Sequence, residues 1–131
     1  MKSEVKKNSS KRRYYYQGKR CSKGEKRIAE FLEDNKVQFE REKSFIDCLS
    51  LKGNRLRFDF YLPDFNVLIE FQGHHHFHPI NSSYRARMSH KKTVVHDNIK
   101  QEFTQNKKIP LLEIAHWEVG DIHEILLPVI N

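Results

Sequence analysis

Two different spacings of hydrophobic residues occur along the chain, and together they predict an α/β fold. Apolar residues at helical spacing follow Ser22, and Ser22 with Glu25 forms the capping-box pattern that starts a helix. Elsewhere, alternating residues or short apolar runs lie between turn residues, which is typical of strands. The predicted elements are a helix over 22–34, strands over 37–42, 55–61 and 67–69, a helix over 93–107, a strand over 109–115 and a helix over 119–127.

This α-β-β-β-α-β-α order predicts one domain over 21–131, in which helices cover both faces of a mixed sheet. A length of 131 residues suits one domain with a modest core. The polar segment 78–92 contains Asn81-Ser82-Ser83 and several basic side chains, and we interpret it as a mobile basic loop. Residues 1–20 are interpreted as a flexible basic arm.

The positive charge is concentrated near the start of the chain. Residues 1–20 carry eight basic side chains against Glu4, so they account for the whole net charge of +7. Tyrosines at 14–16 lie among these cations, and cations with aromatic rings suit nucleic acid, because cations release counterions and rings stack on bases. A tail that only aids solubility is the alternative. The residues predicted to contact DNA are Lys11, Arg12, Arg13, Tyr14, Tyr15, Tyr16, Lys19, Arg20, Arg85, Arg87, Lys91 and Lys92.

Composition argues against several classes of protein. No apolar run approaches the roughly 20 residues that cross a membrane, so no membrane partner is expected. The basic start of the chain lacks the apolar segment of a secretory signal. Cys21 and Cys48 form no CxxC pair, which favours a reducing, cytoplasmic compartment.

Two acids lie on neighbouring predicted strands, Asp59 on the first and Glu70 on the second. If Leu56, Phe58 and Phe60 face the core, Asp59 points to the opposite face of the first strand. Glu70 follows a continuous apolar run and stands near the carboxyl end of the second strand. Pairing of the two strands as a hairpin would bring both acids together.

Acids paired in this way commonly hold a divalent cation for phosphodiester cleavage. Asp59, Glu70 and the Phe71 carbonyl would offer hard oxygen ligands to Mg²⁺, which keeps several waters. Such a metal polarises the scissile phosphate and lowers the pKa of an attacking water. The alternative is that the acids pair with Arg55, Arg57 or Lys52 on an exposed strand face.

Four histidines, at 74–76 and at 78, follow Gly73. An imidazole titrates near neutrality, so one of them is a candidate general base or acid. The alternatives are a solvated loop or a Zn²⁺ site completed by Cys21 or Cys48, although no second His/Cys cluster is present to supply tetrahedral ligands.

A third polar group lies on the predicted helix over 93–107. Asp97 and Lys100 are three residues apart and therefore share a helix face. The alternative is a surface ion pair. Glu25 has a similar alternative, since its capping role alone would explain it.

These stretches, in this order, resemble the PD-(D/E)XK nuclease superfamily. More narrowly, they are similar to its very-short-patch-repair-like branch, which includes phage homing endonucleases with the EDxHD pattern. The resemblance covers roughly 110 residues from about residue 21. The matching stretches are Ser22-Lys23-Gly24-Glu25, Phe58-Asp59-Phe60-Tyr61-Leu62-Pro63, Ile69-Glu70-Phe71-Gln72-Gly73 with His76-Phe77, and His96-Asp97-Asn98-Ile99-Lys100.

The resemblance implies a restriction-endonuclease-like αβββαβ core and a DNA endonuclease that uses Mg²⁺, for which Mn²⁺ can substitute. It implies that Glu25 lies on the first helix of the site and that Asp59 is a metal ligand. It also implies that His76 is the catalytic histidine and that Asp97, on the second helix, is its partner. One residue departs from the pattern, because the superfamily has Lys where this chain has Gln72. Gln cannot act as a charged group, so His76 or Lys100 would take over that role.

The sequence therefore predicts a Mg²⁺-dependent endonuclease of the homing or repair type that acts on double-stranded DNA. For a phage-encoded enzyme the compartment would be the host cytosol. The alternatives are a non-catalytic nucleic-acid-binding module on the same fold, a junction-resolving nuclease or an RNase. The sequence leaves open a homodimer, an accessory specificity protein, the target site and whether one or both strands are cut.

Overall fold

A four-stranded mixed sheet lies at the centre of the structure, a computed structural model that describes residues 13–131. The strand order is β3-β4-β5-β6, in which β3, β4 and β5 are antiparallel neighbours and β6 is parallel to β5. The strands are β3 (Glu40–Leu49), β4 (Arg55–Leu62), β5 (Val67–Gln72) and β6 (Leu111–Ala115).

Helices cover both faces of this sheet. The helices are α1 (Lys23–Asp34), α2 (Tyr84–Lys107) and α3 (Ile122–Ile130), and α3 is preceded by a 3-10 segment over His116–Asp121. α1 and α3 pack on one face and α2 on the other. The predicted α/β class, with a mixed sheet flanked by helices, is confirmed. No helix within residues 13–131 combines the length and the apolar character needed to cross a bilayer.

The start of α1 has the predicted capping box. The Glu25 amide donates to Ser22 Oγ at 3.1 Å, and the Ser22 amide donates to Glu25 Oε1 at 3.0 Å. Gly24, in the first turn, is buried against the Phe71 ring, where any Cβ would collide with ring carbons. The first turn of α1 is therefore packed closely against β5.

Two apolar clusters lie on opposite faces of the sheet, since neighbours such as Leu68 and Ile69 belong to different clusters. The buried members of the α1 cluster are Ile28, Ala29, Phe31, Leu32, Phe60, Leu62, Ile69, Ile114, Ile122 and Leu126. The buried members of the α2 cluster are Cys48, Leu56, Phe58, Leu68 and Phe103.

The assumption that Phe58 and Phe60 share one face is wrong. Both are fully buried, but Phe58 belongs to the α2 cluster and Phe60 to the α1 cluster, so β4 changes facing at Asp59. The β3 residue opposite this point, Glu42, has a left-handed φ of 52°. This irregularity puts Asp59 at a break in the ladder and not on an ordinary strand face.

The prediction of a flexible arm over 1–20 is wrong for its last residues. Strands β1 (Tyr14–Tyr16) and β2 (Lys19–Cys21) form an antiparallel hairpin. Gln17 and Gly18 both have positive φ, as a type I′ turn requires. Tyr16 packs near Phe39 and donates to Glu33 at 2.5 Å, which anchors the hairpin to the domain. The predicted DNA contacts Lys11 and Arg12 lie outside the described residues.

The prediction of a mobile loop over 78–92 is also wrong from Tyr84 onward, because α2 begins there. Ser83 caps the helix, and its Oγ accepts the Ala86 amide at 3.1 Å. The basic side chains that led to the loop prediction are compatible with an exposed helix, since Arg and Lys are good helix formers. Arg85, Arg87, Lys91 and Lys92 therefore lie on the first half of α2 and are exposed.

All four strands of the sheet differ from their predicted bounds: β4 ends at Leu62 and not at residue 61, and β5 continues to Gln72 and not only to residue 69. β3 begins at Glu40 and not at residue 37, and it continues to Leu49. Because β3 is an edge strand with many exposed positions, its later half lacks a clean alternation of apolar residues. β6 begins at Leu111, directly after Pro110, whose missing amide N–H cannot join the ladder.

Candidate active site

The two predicted acids meet where β4 and β5 separate. Regular pairing between these strands ends at the pair Phe60 and Ile69. Beyond that pair, the Asp59 amide donates to Glu70 Oε2 at 2.9 Å, and the Phe71 amide donates to Asp59 Oδ2 at 2.7 Å. Side-chain carboxylates thus replace backbone carbonyls in the ladder, and the acids converge across the two strands as the sequence predicted.

Burial makes this pair of acids electrostatically unusual. Glu70 is only 5% exposed. Burial raises the pKa of Asp59 to about 8, and the charges of Glu70 and Glu25 add to this effect. The Phe71 amide and Lys100 act in the opposite direction without cancelling it. Burial and the neighbouring carboxylates thus favour the protonated form of Asp59, which indicates that the surrounding residues supply too little positive charge to ionise both acids.

Lys100 on α2 supplies one cation to the pair. Its Nζ lies 2.6 Å from Glu70 Oε1, and both side chains are largely buried. The ammonium also lies 5.2 Å from the centre of the Phe58 ring. The alternative that the acids pair with Arg57 is wrong, because Arg57 contacts Glu42 instead.

One turn before Lys100, Asp97 holds the predicted histidine. His76 Nδ1 lies 3.0 Å from Asp97 Oδ2, and each side chain is mostly buried. A carboxylate at Nδ1 accepts the proton of that nitrogen, which leaves Nε2 to act on water or substrate. Because Asp97 and Lys100 share a helix face, the histidine pair and the acid pair lie side by side.

The other histidines of the run have different partners. The His75 carbonyl lies 2.8 Å from His90 Nδ1 on α2, which anchors the 3-10 turn over His74–His76 to that helix. The His75 ring lies beside His76, and burial followed by the charge of His76 lowers the pKa of His75. His76 is thus the member of the run that contacts an acid.

Glu25 also lies near the acids, but its oxygens are engaged. Oε1 takes part in the capping box, and Oε2 accepts from Arg41 at 3.2 Å. Its charge nevertheless contributes to the raised pKa of Asp59. The capping role is therefore observed, and it coexists with a place at the edge of the site.

Gln72 contacts neither acid of the pair but a third carboxylate beside it, Glu113, which sequence reasoning missed. Its Nε2 donates to Glu113 Oε2 at 2.6 Å, and Gln101 donates to the same carboxylate. The parallel register of β5 and β6 places Glu70 opposite Glu113. The sequence signal that could have identified Glu113 is its position as the lone acid within the apolar run Leu111–Ile114. Burial raises the pKa of Glu113 as well.

The oxygens at the acid pair are those that Mg²⁺ prefers. Asp59 and Glu70 supply two carboxylates and Phe71 a nearby backbone carbonyl, and Mg²⁺ fills its remaining positions with water. A buried acid pair with only one ammonium beside it fits a divalent cation, because the charge deficit described above would be removed. Within residues 13–131, no three His, Cys, Asp or Glu side chains are arranged as a metal site. Of the two cysteines considered in the alternative zinc site, Cys48 is buried in the α2 cluster.

The predicted DNA contacts lie on two parts of the surface. Arg13, Tyr15, Lys19 and Arg20 are exposed at the hairpin, while Tyr14 and Tyr16 are half-buried. On α2, Lys91 and Lys92 border a groove of about 480 Å³ together with Lys52 and Arg55 of the β3–β4 turn. Basic side chains therefore occur on both parts of this surface.

Comparison of the chain with protein-family models, with curated proteins and with solved structures finds no match. The resemblance to PD-(D/E)XK nucleases stays a prediction.

Proposed function

We propose that this protein is a Mg²⁺-dependent endonuclease that hydrolyses phosphodiester bonds in double-stranded DNA. The observation that carries the proposal is the reciprocal bonding of Asp59 and Glu70 across β4 and β5, beside Lys100 and the His76–Asp97 pair. Few structural roles require two buried acids, a lysine and an acid-held histidine at one end of a sheet. Phosphodiester hydrolysis uses all of these groups.

Each residue of the site has a separate role in the proposed hydrolysis. Bound Mg²⁺ supplies a Lewis acid for the phosphate and lowers the pKa of water. Asp59 and Glu70 would hold the metal, together with the Phe71 carbonyl. His76 accepts the proton of the attacking water at Nε2, and Asp97 fixes the ring and stabilises the imidazolium that forms. Lys100, which supplies the charge that Gln72 lacks, stabilises negative charge that develops on the phosphate.

Double-stranded DNA is the proposed substrate because exposed cations lie on two elements, the hairpin and the first half of α2. Lys and Arg on the hairpin and on the first half of α2 would contact phosphates and release counterions. A homing or repair role in the cytoplasm, with phage-encoded enzymes acting in the host cytosol, is the corresponding biological setting. Both cysteines are free, which suits a reducing compartment.

A plasmid-nicking assay tests the proposal. Wild-type protein with Mg²⁺ should nick supercoiled plasmid, EDTA should abolish nicking, and Asp59→Asn should reduce it by about a thousandfold or more. The matched control is Asp47→Asn, since Asp47 on β3 is an exposed acid that pairs with Lys107 of α2. Equal nicking by the Asp59 and Asp47 variants would reject the assignment.

A second outcome of the same assay would favour the non-catalytic alternative. A DNA-binding module on this fold would bind plasmid with a steep salt dependence, yet it would show no nicking with Mg²⁺ or Mn²⁺. Single-stranded RNA and a four-way DNA junction, offered as competing substrates, separate an RNase or a junction-resolving nuclease from an enzyme for ordinary duplex.

A further inference from the structure

A cleft of about 250 Å³ opens between the β1–β2 hairpin and the sheet, and Asp59 lines it. Four cations line the same cleft, namely Lys19 and Arg20 from the hairpin, Arg41 from β3 and Arg57 from β4. The hairpin therefore brings basic side chains directly to the acid pair. None of the four was assigned a role at the chemistry from sequence, and Arg41 and Arg57 were not predicted to contact DNA.

Arg41 is the most constrained cation of the cleft. Its guanidinium carbon lies 4.7 Å from the centre of the Phe60 ring and 5.4 Å from that of Tyr16. One terminal nitrogen contacts Glu25 at 3.2 Å. Two aromatic rings and one carboxylate therefore fix the plane of the guanidinium beside the residues that hold the site.

Arg41 also carries a donor that has no acceptor. Its Nε is buried and has no hydrogen-bond partner among residues 13–131. A buried donor without an acceptor is rare in folded proteins and needs an explanation. A small rotation of the side chain toward an anion in the cleft would give this donor its acceptor, and guanidinium geometry matches the oxygens of a phosphate.

The charge balance of the cleft also favours an anion. Of its acids, Glu25 is engaged by Arg41, and Glu42 is engaged by Arg57 and Lys19. Arg20 forms no ion pair within residues 13–131, so its charge is available to a ligand. The third acid, Asp59, stands where the proposed metal would neutralise it.

We propose that this cleft binds a phosphodiester of the nucleic-acid backbone and that Arg41 holds one of its non-bridging oxygens next to Asp59. The inference rests on the proposed function for the nature of the ligand, and it adds a positioning role for a residue outside the acid and histidine pairs. Tyr16 and Phe60 orient the guanidinium, and the folded hairpin completes the basic wall of the cleft.

Binding of a labelled 20-base-pair duplex in EDTA tests the proposal without any cleavage. Arg41→Met keeps an apolar stem between the rings, and we expect it to weaken binding about tenfold and to lower the salt slope by about 1. Arg41→Lys should restore the slope but not the full affinity, because an ammonium keeps the charge and loses the fork. The control Arg27→Met, at an exposed position of α1, should change affinity less than twofold.

A direct probe covers the case in which Arg41→Met fails to fold. Titration of wild-type protein with the dinucleotide dithymidine monophosphate should shift the Arg41 Nε–H resonance. Inorganic phosphate should shift this resonance less, and a shift at least as strong would indicate a site for a free anion and not for a phosphodiester. An unmoved Nε–H resonance, or an Arg41→Met variant that folds and binds duplex like Arg27→Met, would overturn the inference.

Failure of this inference is distinguishable from failure of the proposed function. A protein that binds duplex through Arg41 but never nicks DNA refutes only the endonuclease assignment. A protein that nicks DNA through Asp59, with Arg41→Met and Arg27→Met equal in duplex binding, refutes only the phosphodiester cleft.

Discussion

The two faces of the sheet are built differently, and the difference separates packing from chemistry. The face under α1 and α3 is apolar except at its edge, where Glu25 contacts Arg41, and α1 buries five of its twelve residues. The face under α2 is apolar near Phe103 and polar near Asp97 and Lys100, and α2 buries only two of its 24 residues. A regular apolar stripe marks a helix that holds the fold, whereas its absence marks the helix that carries the site.

In the polar part of the α2 face, ion pairs and hydrogen bonds take the place of apolar packing. Asp97 reaches His76, Lys100 reaches Glu70, and both contacts are 3.0 Å or shorter. Buried ion pairs of this kind contribute little net stability, because desolvation offsets their attraction. We therefore expect stability to depend on the α1 face and activity on the α2 face.

The largest expected effect on stability is loss of packing on the α1 face. Leu32→Ala removes a fully buried side chain of the α1 cluster, and we expect the free energy of unfolding to fall by about 3–4 kcal/mol. Val95→Ala, at an exposed position of α2, is the control and should change it by less than about 0.5 kcal/mol. Urea denaturation measures both, and equal losses would contradict the division between the faces.

A somewhat smaller effect concerns pH and the acid pair. Unfolded chain releases the Asp59 proton near pH 4, whereas the folded protein, without metal, keeps it to about pH 8 because of burial and the charge of Glu70. Between these values the folded state binds more protons, so the free energy of unfolding falls as pH rises.

We expect wild-type protein in EDTA to lose up to about 3 kcal/mol between pH 5 and pH 8 relative to Asp59→Asn, which lacks this titration. Urea melts at several pH values measure the difference. Saturating Mg²⁺ should reduce it, since a metal replaces the proton. Parallel pH profiles for the two proteins would show that Asp59 does not keep its proton in the folded state.

The smallest expected effect is on the chemical step at the histidine pair. His76→Ala should slow nicking about a hundredfold, and Asp97→Asn should slow it about tenfold, without a comparable change in stability. The double variant should be no slower than His76→Ala, because Asp97 acts through His76. Single-turnover rates measure this coupling, and additive losses would mean that the two residues act independently.

The fold and the centre of the site follow largely from local sequence signals. The capping box at Ser22 started α1 as predicted, because it depends on residues three positions apart. Asp59 and Glu70 converge because antiparallel strands joined by a short turn bring such positions together. His76 and Asp97 were paired from the resemblance, and the structure places them in contact.

The contacts that sequence reasoning missed depend on tertiary packing. Lys100 meets Glu70 across 30 residues and Glu113 meets Gln72 across 41, and no local period encodes such contacts. The hairpin was missed because its turn, Gln17-Gly18, lies inside a basic run that is typical of a disordered tail. The early start of α2 was missed because an exposed basic helix has no apolar stripe.

Gly24 allows the first turn of α1 to lie directly against the Phe71 ring of β5. Because a Cβ there would collide with a carbon of the Phe71 ring, any other residue at this position requires that ring to move, and Phe71 is the residue whose backbone amide donates to Asp59. A Gly24→Ala variant therefore tests whether displacement of the Phe71 ring disturbs the contact between the Phe71 amide and Asp59.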